Sequence, residues 1–283
     1  MKVIDQTLLE KVIVERPRHS HKGDYGRLLL LGGTYPYGGA IIMSAIAAVK
    51  SGAGLVTVGT DKENIPALHS HLPEAMAFSI KDTALLKEQI EKAEVVLLGP
   101  GLREDAFGEE VVKQVFNSLR KDQLLIIDGG ALGILAKNQF PLPVGQLILT
   151  PHQKEWERLS GLAIEKQKPE STFAALEDFP QVTILVEKGP ATRIWKAGQS
   201  EYYQLEIGGP YQATGGMGDT LAGMIAGFAG QFHQVSLYDR VVVATHLHSA
   251  IAQELAQENY LVLPTEISRL LPKTMKKISQ KGS

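Results

Sequence analysis

The sequence predicts an α/β fold in which a central, mostly parallel β-sheet carries helices on both faces, and three observations point there. Short apolar runs recur along the chain, as in RLLLL at 27 to 31. Amphipathic stretches of helical period separate these runs, and glycines stand where one kind of segment gives way to the other. Buried parallel strands are continuously apolar rather than alternating, and the crossover between two of them is usually a helix. The chain has 283 residues, enough to bury roughly three quarters of the surface its unfolded form exposes, so one domain spanning residues 1–283 is expected.

A helical opening and the loop HSHKGDYGR lead into the first strand, 27 to 31, which Gly32 and Gly33 close. Ala40 to Lys50 is rich in Ala and Ile and predicts a helix. It ends at Gly52 to Gly54, and LVTVG supplies a second strand that completes a β-α-β unit. The alternation continues with strands near 75 to 79, 95 to 98, 124 to 127, 146 to 149 and 182 to 187. Helices near 83 to 92, 105 to 120, 130 to 137 and 152 to 160 lie between them. Residues 192 to 206 hold two β-forming runs around a Gly-Gln turn, which suits an antiparallel edge hairpin. Helices near 218 to 230, 238 to 258 and 264 to 277 would cover one face of the sheet.

Composition narrows the function. No cysteine is present, which removes disulfides, thiolate metal sites and cysteine nucleophiles and fits a reducing compartment. No apolar run reaches the roughly 18 residues of a membrane helix, so a cytoplasmic protein with no membrane partner is expected. The formal charge of −2 offers no field for a polyanion. The one lysine cluster, Lys273, Lys276 and Lys277, suits a solvated C-terminal end, so nucleic acid is excluded as a partner.

The stretch TGGMGDT at 214 to 220 carries the chemistry. Gly215, Gly216 and Gly218 let backbone amides crowd around an anion, and the helix beginning near Gly218 adds its unpaired N–H groups and positive dipole end. A P-loop completes such a hole with lysine, but that spacing is absent, and Asp219 stands instead. A carboxylate beside phosphate meets like-charge repulsion, so Asp219 is better matched to an acceptor hydroxyl, which it would orient and deprotonate. The plain alternative is an Asp that caps a helix after a flexible turn.

With these residues the chain resembles the ADP- or ATP-dependent NAD(P)H-hydrate dehydratases of the ribokinase-like superfamily. The resemblance runs through HKGDYGRLLLLGG (21 to 33), GGAIIMSAIAAVKSGAGLVTV (38 to 58), LLGPGL (97 to 102) and IIDGGAL (126 to 132). It continues in LTPHQKEWERLSG (149 to 161), VEKGPATRI (186 to 194) and TGGMGDTLAGMIAGF (214 to 228). It implies a ribokinase-like three-layer α/β/α fold and a stand-alone bacterial-type member, with no room for the epimerase domain fused in some relatives. It also implies Mg²⁺ as cofactor, ADP as co-substrate with ATP as the other candidate, and a homo-oligomer, often a tetramer. The expected activity is repair of the S form of hydrated NADH or NADPH, with release of AMP and phosphate.

Residue by residue, the resemblance makes Ala40 a substrate contact in a segment, Gly38 to Ala40, whose small residues let a flat ring approach the backbone; a tightly packed helix start is the alternative. Gly101 contacts substrate from a loop at a strand's carboxyl end. Arg103 stands where many relatives have glycine, so no contact is carried over for it. In TPHQKEW, Pro151 ends a strand and His152 starts a helix with Glu155 one turn on. His152 is then a substrate contact and Glu155 part of the acidic group organising Mg²⁺ water and phosphate. Lys188, Gly189, Pro190, Ala191, Thr192 and Gly218 bind the nucleotide, and Asp219 is both the base and a substrate contact. Asp128 and Gly129 form a pocket floor with no assigned role.

Other features carry no expectation of chemistry. His246 and His248 are two apart on a helix and cannot form an i, i+4 metal pair. His19, His21, His69 and His71 fall in loops and are expected to be solvated. SGAG at 51 to 54 lies at a helix end before a strand, the reverse of a dinucleotide fingerprint, which disfavours a Rossmann oxidoreductase. A small-molecule kinase acting on a vitamin precursor or sugar is the rival enzyme, distinguished by a stable phosphorylated product. A nucleotide sensor without catalysis is the rival outside enzymes.

Overall fold

A computed structural model describes residues 1–143 and 145–281. Strands β1 (Arg27–Leu31), β2 (Leu55–Thr60), β3 (Met76–Ser79), β4 (Val95–Leu98), β5 (Leu124–Ile127), β6 (Gln146–Leu149), β7 (Thr183–Glu187), β8 (Arg193–Lys196) and β9 (Tyr203–Gln204) form one sheet in the order 3-2-1-4-5-6-7-8-9. The strands up to β7 are parallel, and β8 and β9 add on antiparallel. The predicted edge hairpin is therefore present. The strand order reverses between β1 and β4, and in open α/β sheets the crevice at the carboxyl ends beside such a reversal is where ligands bind.

The helices are α1 (Gln6–Val12), α2 (Gly38–Lys50), α3 (Ile65–His71), α4 (Thr83–Lys92), α5 (Ala106–Ser118), α6 (Gly130–Asn138), α7 (Gln153–Ser160), α8 (Pro169–Ala175), α9 (Met217–Ala229), α10 (Leu237–Leu255) and α11 (Pro264–Ser279). Several starts are set by local chemistry: Asp5, Asp82, Asp105 and Ser236 each accept an N–H of the first turn of their helix. The short helices α3 and α8 were not expected. His69 and His71, expected in a loop, lie in the last turn of α3 and are exposed.

Alternate residues of each strand feed two cores. Leu28, Leu30, Val95 and Leu97 face one with α2, α9, α10 and α11. Leu29, Leu31, Val96 and Leu98 face the other with α4, α5, α6 and Trp156 of α7. Both faces of the strands are buried, which is why their sequences lack polar alternation.

The closest helix pair in the first layer is α2 with α9, which run parallel. A Cβ at Gly223 would be driven into the Ser44 carbonyl oxygen, and one at Gly227 would meet the Ala48 carbonyl at 2.9 Å. Ser44 Oγ donates to the Asp219 carbonyl at 2.9 Å. Glycines one turn apart let the two backbones approach where larger residues would hold the axes apart. The N-termini of both helices therefore open at the same end of the sheet.

Gly223→Ala should lower stability by about 1–3 kcal/mol, the usual cost of overpacking a tight contact, seen as a thermal midpoint several degrees lower. Gly39→Ala, where a Cβ meets nothing within 4 Å, should leave the midpoint unchanged or raise it. Equal midpoints for the two variants would show that the α2–α9 approach does not depend on glycine.

Candidate active site

The loops after β1 and β4, at the reversal of strand order, are zipped together. Gly33 N–H donates to Pro100 O at 2.8 Å, Thr34 N–H to Gly101 O at 2.9 Å, and Arg103 N–H to Thr34 Oγ1 at 2.8 Å. Gly101 lies against the start of α2, where a Cβ would meet the Ala40 methyl at 3.0 Å and also crowd Tyr37. Ala40 and Gly101 are thus neighbours, and Gly39 beside them opens onto free space. Tyr35 and Tyr37 flank this shelf with their side chains exposed.

The glycine loop ends on the first turn of α9. Gly216 is the N-cap with φ +93°, a left-handed conformation that other residues rarely adopt. It has no side chain with which to cap, and Asp219, third residue of the helix, makes no cap bond to it. The capping alternative for Asp219 is therefore set aside, and its carboxyl is left at the mouth of the helix. Burial, reinforced by the Asp128 carboxylate and opposed by Lys188, pushes its pKa up to about 6.

The lysine that TGGMGDT lacks arrives from another part of the chain. Lys188, at the end of β7, reaches across so that its Nζ would lie 3.2 Å from a Cβ on Gly218. The same Nζ is 2.9 Å from Asp128 Oδ1, which also accepts the Thr150 hydroxyl at 2.6 Å. Burial works against the charge on Lys188, but the carboxylates of Asp128, Glu155 and Asp219 outweigh it and raise its pKa. A helix N-terminus with an ammonium beside it is an anion site assembled from two distant segments.

His152 and Glu155 form the N-terminal cap of α7. His152 Nδ1 accepts the backbone N–H groups of Lys154 at 3.1 Å and Glu155 at 3.2 Å, and the His152 backbone N–H donates to Glu155 Oε2 at 2.7 Å. Burial, and then Lys188, lowers the pKa of this ring. Burial pushes Glu155 up to about 7, against the pull of Lys188. Lys188 N–H donates to Pro151 O at 2.9 Å, so this cap and the lysine are held in register.

A cavity of about 580 Å³ opens from this point, within the range of small-molecule sites. Lys188, Gly189, Thr192 and Gly218 form one end, and Pro190, Ile207, Met217 and Leu221 give apolar walls. Ala191, Gly215 and Gly216 are not among its lining residues, although a Cβ on Gly215 would meet only open space. Thr245, His248 and Ser249 also line it, and sequence reasoning missed them. His248, passed over as featureless, is 5% exposed, its Nε2 has no partner, and burial pushes its pKa down to about 4. Their spacing places all three on one face of α10, the signal that could have found them. His246 lies instead in a small pocket beside the N-terminal residues.

Comparison with known proteins places this geometry in context. A family model described as NAD(P)H-hydrate dehydratase matches residues 28–273. The chain is 78% identical to ADP-dependent (S)-NAD(P)H-hydrate dehydratase of Streptococcus pneumoniae, over 99% of this chain and 97% of that one. It is 56% identical to the protein of the same name from Streptococcus thermophilus, over 98% and 99%. Among solved structures it resembles ADP/ATP-dependent NAD(P)H-hydrate dehydratase from Bacillus subtilis, co-crystallized with ATP/Mg²⁺. There the TM-score is 0.83 at 30% identity, covering 97% of each chain. A putative ribokinase from Agrobacterium tumefaciens shares the fold at 14% identity, with a TM-score of 0.56 over 89% of this chain and 98% of its own.

The raised carboxyls bear on stability. Folded Asp219 and Glu155 keep protons to about pH 6 and 7, which the unfolded chain releases near pH 4. Their contribution to stability is therefore full below about pH 4 and is lost as pH rises through 6 and 7. Asp219→Asn should have a higher thermal midpoint than the parent at pH 8, and the gap should close near pH 4. A gap of the same size at both pH values would mean that the ionised carboxyl is not the cause.

Proposed function

The chain belongs to the NAD(P)H-hydrate dehydratase family, and from that premise we propose that it is an ADP-dependent (S)-NAD(P)H-hydrate dehydratase with Asp219 as its base. It is an enzyme of the hydro-lyase type with the ribokinase-like fold: a mostly parallel sheet between two helical layers. The observation that carries the reading is a carboxyl unused as a cap, one residue past the Gly218 that lines a cavity of about 580 Å³ together with Lys188.

The substrate is the ring to which water has added, and ADP occupies the cavity with its phosphates toward Gly218 and Lys188. Ala40, Gly101 and His152 line the substrate side; Gly189, Pro190, Ala191 and Thr192 follow the nucleotide. Asp219 accepts the proton of the ring hydroxyl as its oxygen bonds to the terminal phosphorus, and the bond from that phosphorus to AMP breaks. The amides around Gly215, Gly216 and Gly218, with Lys188, hold the charge that spreads over the phosphoryl oxygens. The ring nitrogen then pushes electrons inward, the carbon–oxygen bond to phosphate breaks, and a proton leaves the neighbouring carbon. The products are NADH or NADPH, AMP and phosphate.

Among the described residues no three His, Cys, Asp or Glu side chains gather to hold a metal alone. A divalent ion that keeps most of its waters and binds mainly through nucleotide phosphates still fits this site. Three carboxyl groups, Asp128, Glu155 and Asp219, share the single ammonium of Lys188, leaving acidic character for a cation to offset. Glu155 would reach Mg²⁺ through water, and the ion would screen phosphate charge during transfer.

Incubation with hydrated NADH, Mg²⁺ and ADP should restore the near-ultraviolet absorbance of the dihydronicotinamide. Restoration with ATP alone would overturn the donor, and a stable phosphorylated alcohol in place of free phosphate would overturn the reaction. Asp219→Asn should keep nucleotide binding and lose at least about 100-fold in turnover, the lower end of what a positioned base contributes. Near-normal turnover in that variant would remove Asp219 from this role.

We also propose a single-domain, cytoplasmic protein that assembles into a homotetramer. The sheet that runs through both halves of the chain supports the first point. No helix among the described residues is long and apolar enough to cross a membrane. Tyr260, 99% exposed, stands beside the exposed Leu261 and Leu263, and an apolar cluster of this kind suits a subunit contact. Light scattering should return four times the chain mass, and a mass of one chain would refute the assembly.

A further inference from the structure

Asp128 is buried at 2% exposure and belongs to none of the binding segments described above. Its Oδ1 takes the Lys188 ammonium at 2.9 Å and the Thr150 hydroxyl at 2.6 Å. The lysine so held lies against Gly218 at the mouth of α9. An ammonium out of water tends to lose its proton or to close on the nearest carboxylate. Here two other carboxyl groups, Asp219 and Glu155, are near enough to act on it.

We propose that Asp128 is a positioning residue for the reaction, keeping the Lys188 ammonium charged, beside the phosphoryl path and away from Asp219. The proposal rests on the reading of this site as the place of phosphoryl transfer. A lysine paired with Asp219 would lower the basicity of the one group that must take the hydroxyl proton. A lysine held by Asp128 leaves that carboxyl free and still presents its charge to the phosphates. The Thr150 hydroxyl fixes the Asp128 carboxyl, so the lysine is anchored to β5 and β6 rather than to a loop.

The groups facing Asp219 are Asp128, which raises its pKa, and Lys188, which lowers it. Loss of the Asp128 charge removes the first influence and frees Lys188 to strengthen the second, so both changes move Asp219 the same way, downward. Glu155 and His152 face Lys188 from α7 and are unchanged by the substitution.

The experiment is a double-mutant cycle of Asp128→Asn, Lys188→Met and the pair, read in kcat/KM and in ADP affinity by calorimetry. Each single variant should lower kcat/KM on the order of 10–100-fold, and the pair should be no worse than the poorer single, because Asp128 acts through the lysine. The acid limb of the Asp128→Asn pH profile should move to lower pH. Multiplying effects in the pair, or an acid limb that stays in place, would overturn the proposal, since a purely structural loss gives both.

Thermal melts of the three variants normalise activity to folded protein, and Asp128→Glu, which keeps the charge, should retain more kcat than Asp128→Asn. The reverse order would also count against the proposal. The ADP-affinity cycle needs no turnover, so it tests the pair even if the repair reaction fails. An unmodified protein that binds no ADP would take down the reading of the site and this inference together.

Discussion

The close approach of α2 and α9 is the constraint on which the site depends. Gly223 and Gly227 bring the α9 backbone against Ser44, Ala48 and Ser51, and the Ser44 hydroxyl bridges to the Asp219 carbonyl. The two helices are parallel, so their N-terminal ends open side by side: the Ala40 shelf at one, the glycine loop and Asp219 at the other. Each brings unpaired amides and a positive dipole end to that opening. Separated by ordinary side chains, the same helix ends would lie farther apart.

Around that frame the charges are deliberately out of balance. Asp219 and Glu155 are held well above the ordinary carboxyl range by burial, and the one ammonium among them is tied to a third acid. A fold selected for stability alone would fill these positions with neutral residues. In the proposed reaction the imbalance is useful, because a base with a value near 6 can accept a proton at neutral pH and a cation arriving with the nucleotide would find acidic partners. His152 sits in the same field: its Nδ1 caps α7, and burial and then the neighbouring lysine lower its pKa.

Much of this was legible in the sequence, for identifiable reasons. Strands such as RLLLL and LLII are apolar on both faces because helices cover both, and the glycines of TGGMGDT stand where α9 begins. His152 and Glu155 could be paired because a single helical turn separates them. What escaped notice depends on tertiary contact. Lys188 meets Gly218, and Asp128 meets Lys188, only after three strands have stacked side by side. In the sequence His248 is set aside only as a metal ligand, and its place at the cavity shows once α10 is laid beside it. Helices α3 and α8 are seven residues each, too short for a periodic pattern to rise above its surroundings.

The proposed reaction begins as a kinase's would, with phosphoryl transfer to a hydroxyl, and ends as a dehydratase's. Phosphoryl transfer to a hydroxyl needs an oriented acceptor, a base and a pocket of positive charge, and both kinds of enzyme need the same three. Expulsion of the phosphate afterwards is driven by the electron pair on the ring nitrogen, which belongs to the substrate. The protein need add no group for that second step. In the proposed reaction selectivity for dehydration then lies in which alcohol is admitted, and so with Ala40, Gly101 and His152 rather than with the glycine loop. In the proposed function the site has that division: the loop around Asp219 transfers the phosphoryl group, and the residues at the start of α2, after β4 and at the start of α7 decide which alcohol receives it.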